Sequence, residues 1–98
     1  MSGLDYLDFE IADDGEGVTT FDALADVEAR HAAALRAEVK RVLDWATARF
    51  GAAAPLDEGG EWDCALDDRD EDGRTVVALT LSGGEAFAQA FQARFSLQ

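Results

Sequence analysis

The chain has 98 residues, of which 48% are hydrophobic and 30% charged, with one proline and one cysteine. That length and balance describe one folded domain, residues 1–98, with room for a two-layer core, and they exclude a disordered chain and a disulfide scaffold. Eight basic against 21 acidic residues give a formal net charge of -13, which repels phosphate backbones and attracts cationic surfaces, so direct nucleic-acid binding is not expected.

The opening run MSGLDYLDFE has neither the basic nor the apolar section of an export signal, and no apolar stretch is long enough to span a bilayer. The expectation is a cytoplasmic protein without membrane contact, and the lone Cys64 suits a reducing compartment. Charge is unevenly spread: residues 28–50 carry five basic groups (Arg30, Arg36, Lys40, Arg41, Arg49) against three acidic ones (Glu28, Glu38, Asp44). A mildly basic segment therefore sits on a strongly acidic body.

In YLDFEIA, Leu7, Phe9 and Ile11 alternate with Asp8 and Glu10, the period of a half-buried strand. DDGEG then reverses the chain. In VTTFDALADV, Phe21, Ala23, Ala25 and Val27 fit a strand, while Phe21, Leu24 and Val27 could begin a helix; the β-branched Val18, Thr19 and Thr20 favour the strand. Asp26 is a suitable N-cap for the helix that follows, whose apolar positions are Leu35, Val39, Val42, Ala46 and Phe50. Gly51 and Pro55 end it.

EWDCALD and TVVALTLS alternate as two further strands, with Trp62, Cys64, Leu66, Val77, Leu79 and Leu81 facing inward. Ser82-Gly83-Gly84-Glu85 has the spacing of a capping box, and Phe87, Phe91 and Phe95 recur every fourth residue along one face of a last helix. The order ββαββα predicts an α+β domain: a four-stranded, mainly antiparallel sheet with two helices packed on one face. The opposite face would display Tyr6, Thr20, Leu24, Ala65, Val76 and Ala78 among Asp8, Asp22 and Asp63. Of these, Tyr6, Asp22, Leu24, Asp63 and Val76 form the candidate partner surface.

At DYLDFEIADDGEG, RVLDWATARF and PLDEGGEWD the chain resembles small uncharacterised bacterial proteins of this layout. The resemblance spans most of the chain and implies the fold, with no activity and no functional residues attached.

The sharpest chemical signal is DDRDEDGR, residues 67–74. Asp68, Asp70, Asp72 and Gly73 would occupy the first, third, fifth and sixth places of a calcium loop, but the twelfth, which needs a bidentate glutamate, is Leu79. A solvated hairpin end is the favoured reading, with Asp68, Asp70 and Asp72 kept as a calcium candidate. SGGE is read as a cap rather than a phosphate cradle, because Ser82 and Glu85 can satisfy the free N–H groups themselves. His31 has no second ligand beside it, Cys64 reads as a core thiol, and neither Ser2, Ser82 nor Ser96 forms a plausible triad with His31.

No cofactor is expected. The preferred function is a non-enzymatic interaction module with a basic protein partner, and a homodimer is a further expectation. The alternatives are a nucleic-acid mimic that occupies a basic groove, and a ligand-binding protein or enzyme. The latter would use carboxylates near Trp62, such as Glu58 with Glu61 or Asp63 with Asp67.

Overall fold

The computed structural model describes residues 4–95. Its elements are β1 (Glu10–Asp13), β2 (Thr19–Glu28), α1 (Ala32–Phe50), β3 (Trp62–Glu71), β4 (Arg74–Gly83) and α2 (Glu85–Phe95), with single helical turns at Ala29–His31 and Leu56–Glu58. The four strands form one sheet in the order β1-β2-β4-β3, and every pairing is antiparallel. The predicted α+β architecture is therefore the observed one.

The residues of VTTFDALADV are strand. The β2–β4 ladder runs without a break from Thr19↔Gly83 to Glu28↔Arg74, which overrides the helical spacing of Phe21, Leu24 and Val27. It also moves the helix start. Asp26 is no cap: it lies in β2 and accepts a hydrogen bond from Arg74 Nε at 2.7 Å. The α-helix begins six residues later, at Ala32, behind a helical turn. At its other end Gly51 takes φ 88° and donates its N–H to the Thr47 carbonyl, the positive φ that only glycine adopts without strain.

Strand β1 is shorter than its alternation predicts. Leu7 and Phe9 are buried, as the pattern requires, but pairing with β2 begins only at Glu10. Before that, the N–H groups of Asp5, Tyr6 and Leu7 turn toward α1 and donate to the carboxylate of Glu38 at 2.7–3.0 Å. The capping box is also corrected: Ser82 is a β4 residue whose hydroxyl lies 3.5 Å from that of Thr20, so the strand continues through the position that was to cap α2. Ser2 and Ser96 lie outside the described residues.

Burial of the inward row, Phe21, Ala23 and Ala25 on β2 with Val77, Leu79 and Leu81 on β4, supplies the sheet's half of the core. The helices supply Leu35, Val39, Val42 and Ala46 from α1 and the three phenylalanines from α2. Phe87 is the hinge of this packing, stacked on Trp62 at 5.7 Å and on Phe91 at 5.8 Å with interplanar angles of 5° and 7°. Gly83 leaves the room: a Cβ there would lie 2.3 Å from the Phe87 ring.

Candidate interaction surface

Antiparallel pairing puts cross-strand partners on the same face, so the register assigns every outward side chain. Glu10, Asp22, Thr80 and Ala65 form one row across all four strands, and Ala12, Thr20, Ser82 and Asp63 the next. On the other side of the first row come Leu24, Ala78 and Asp67, then Asp26, Val76 and Arg69, then Glu28, Arg74 and Glu71. Leu24 is 70% exposed. It stands at the rim of a shallow groove of about 560 Å³ that is lined also by Asp8, Glu10, Asp22, Ala78 and Thr80.

Four of the five residues expected on this face are on it: Asp22, Leu24, Asp63 and Val76. Tyr6 is not. Its N–H is bound to Glu38, its ring packs at the edge of the core, and its hydroxyl lies 3.3 Å from His31 Nδ1, all on the helix-bearing side. Strand alternation does not reach residue 6 because the chain leaves the sheet to meet α1.

The open face carries eight carboxylates (Asp8, Glu10, Asp22, Asp26, Glu28, Asp63, Asp67, Glu71) and two guanidinium groups (Arg69, Arg74). Several are held in place. Asp22 accepts from Thr80 Oγ1 at 2.7 Å. Asp26 and its own carbonyl both accept from Arg74, and Arg69 pairs with Glu71. The polar rows are thereby cross-linked along the sheet, while Leu24, Ala65, Val76 and Ala78 form a thin apolar centre between them. On the other layer, α1 carries the exposed cations Arg36, Lys40 and Arg49, so the two layers differ in sign.

The calcium candidate resolves into different chemistry. Asp68 and Asp70 share the helix-bearing side of β3, where Arg36 reaches them from α1: Nε and Nη2 donate to Asp68 at 2.9 and 2.7 Å, and Nη2 to Asp70 at 3.2 Å. The bidentate bond from Arg36 holds the Asp68 carboxyl below the usual carboxylate range and raises the guanidinium in return. Thr75 Oγ1 occupies the same Asp70 oxygen at 2.7 Å. Asp72 sits apart at the hairpin tip, with φ 49° at Asp72 and 78° at Gly73, the two-residue turn that suits the twist of the flanking strands. Among the described residues no three His, Cys, Asp or Glu side chains are grouped as a metal site would need.

Among the described residues the carboxylates beside Trp62 line two separate small cavities, Glu61 with Glu85 in one of about 230 Å³ and Asp63 with Cys64 in one of about 240 Å³, and Trp62 lines neither. Trp62 is 2% exposed and its indole N–H donates to the Gly51 carbonyl, so it is a core side chain. His31 lies at the opposite end of the sheet, beside the Glu28↔Arg74 pair. Burial first, then the neighbouring Asp63 carboxylate, push the Cys64 thiol up, which disfavours its thiolate.

Sequence reasoning missed Glu38. It falls three residues after Leu35 and four before Val42, inside the apolar stripe of α1, and an acid at such a position is the signal of a buried polar contact. No helix among the described residues is long and apolar enough to cross a membrane. Neither a family model, nor a curated protein, nor a solved structure matches this chain.

Proposed function

We propose that the protein is a non-catalytic binding module that receives a cationic protein surface on the open face of its sheet. The observation that carries this reading is the exposure of Leu24, with Val76 and Ala78 beside it, inside a ring of carboxylates held by Thr80 and Arg74. An apolar centre with a charged rim is the usual anatomy of a protein contact, and the excess of acid steers and selects a basic partner. The reading places the module in the cytoplasm.

Affinity capture at low and at high salt, with the wild type and with Leu24→Lys and Asp22→Lys, tests it. Captured proteins with basic surfaces should be lost both on raising salt and in the two face variants. Retention that ignores both changes would end the proposal. Duplex DNA added as a competitor separates the nucleic-acid-mimic reading, which requires DNA to displace the captured proteins.

A further inference from the structure

Strand β3 is the long outer strand of the sheet, ten residues against four for the opposite edge β1. In an antiparallel ladder alternate residues direct both backbone groups to one neighbour and the rest direct theirs to the other side. The two-residue turn Asp72-Gly73 makes Glu71 and Arg74 the closing bonded pair. The odd-numbered residues of β3 therefore bond β4, and Leu66, Asp68 and Asp70 present N–H and C=O to the free edge. Two contacts agree with this parity: the Cys64 N–H is taken by Asp63 Oδ1 at 2.8 Å, and the Trp62 carbonyl by the Ala54 N–H at 3.0 Å. Among the described residues these close the edge at its Trp62 end and leave it open from Leu66 to Asp70.

Beside the open stretch runs a groove between α1 and β3, about 330 Å³, in which Val39, Leu43 and Leu66 lie among Arg36, Lys40, Asp44 and Asp68. Leu66 is 47% exposed, although its parity faces the core layer. On the other face of the same strand, along the open stretch, stand Asp67 and the Arg69–Glu71 ion pair. We propose that the β3 edge accepts an added strand from a partner, an extended segment alternating apolar residues with lysine or arginine. Its apolar side chains enter beside Leu43 and Leu66, a cation meets Asp67, and its backbone pairs with residues 66–70.

The charge of β3 selects this occupant over a second copy of the chain. Five acids and one arginine lie between residues 62 and 71, so two β3 edges side by side would set like charges against each other, the usual protection of an exposed edge. A cationic strand removes that repulsion. The inference rests on the reading of the protein as a binder of cationic partners but engages the β3 edge and the groove beside it, sharing only Asp67 with the face that displays Leu24.

The test is fluorescence anisotropy with a labelled seven-residue peptide of alternating lysine and valine. Two controls accompany it: the alternating glutamate–valine peptide, and the lysine–valine peptide N-methylated on the amides that would face β3. Binding of the first peptide should weaken at least tenfold on N-methylation and in Leu66→Asp, persist in Leu24→Lys, and be absent for the acidic peptide. Amide exchange at Leu66 and Asp68 should slow at least tenfold in its presence. Equal binding of the N-methylated peptide, or unchanged exchange at those amides, would reduce the contact to charge alone and overturn the proposal. So would sedimentation of the free protein as a dimer with Leu66 and Asp68 amides already protected. Loss of open-face capture in Leu24→Lys with peptide binding intact tells failure of one surface from failure of the other.

Discussion

Glu38 is 3% exposed, yet it is satisfied, because three consecutive backbone N–H groups converge on its two oxygens. Removing the carboxylate leaves those donors without their acceptor next to buried Leu7. Glu38→Ala should lose about 2–3 kcal/mol, the cost of orphaned buried donors, and Glu38→Gln should recover only part, since its amide end repels an N–H. Urea unfolding of both variants measures this; a loss within about 0.5 kcal/mol for Glu38→Ala, as for an ordinary surface change, would show that the contact stabilises nothing. Gly83→Ala addresses the other tight contact. The Phe87 ring that an added Cβ would strike is held between Trp62 and Phe91, so the clash has no cheap exit and should cost about 1–3 kcal/mol. A variant as stable as the wild type would mean that the aromatic stack shifts freely.

Between elements, the α1–β3 junction depends on Arg36. The Asp68 carboxyl is lower in the folded chain than the ordinary value of about 3.9. Its contribution is therefore present above that value and lost as pH falls through the lowered one. The stability gap between wild type and Asp68→Asn should be constant near neutrality and close in strong acid, a trend that unfolding curves at stepped pH would read. A gap that stays open at the acid end would assign the effect to packing instead. This junction was not legible in the sequence, because its partners stand 32 residues apart and nothing local couples them. What could be read was periodic: Phe87, Phe91 and Phe95 at helical spacing, and Val77, Leu79 and Leu81 at strand spacing, are all buried. Asp26 misled as a cap because cap chemistry is local, whereas β4 extends β2 past it by long-range pairing. The open face was legible from alternation except at Tyr6, where the carboxylate of Glu38 captures the chain.

For the whole molecule, a net charge of -13 opposes compaction, and salt should relieve it. Raising sodium chloride from about 10 mM to about 500 mM shortens the screening length below the spacing of most surface charges, so the thermal midpoint should rise by several degrees. A falling midpoint would mean that the Arg36 and Arg74 ion pairs outweigh the repulsion. The strand order has a consequence of another kind, for vectorial synthesis. The centre of the sheet is the β2–β4 pair, in which Thr20 and Ser82 stand 62 residues apart. A ribosome adding roughly 5–20 residues per second takes about 3–12 s to cover that interval. For most of it, once residue 42 is passed, Phe21, Leu35 and Val42 have been made, but Leu81, Phe87 and Phe91 have not. The first ββα unit cannot close on itself during that time, and a nascent chain stalled before β4 would present its apolar row to whatever chaperone waits at the tunnel exit.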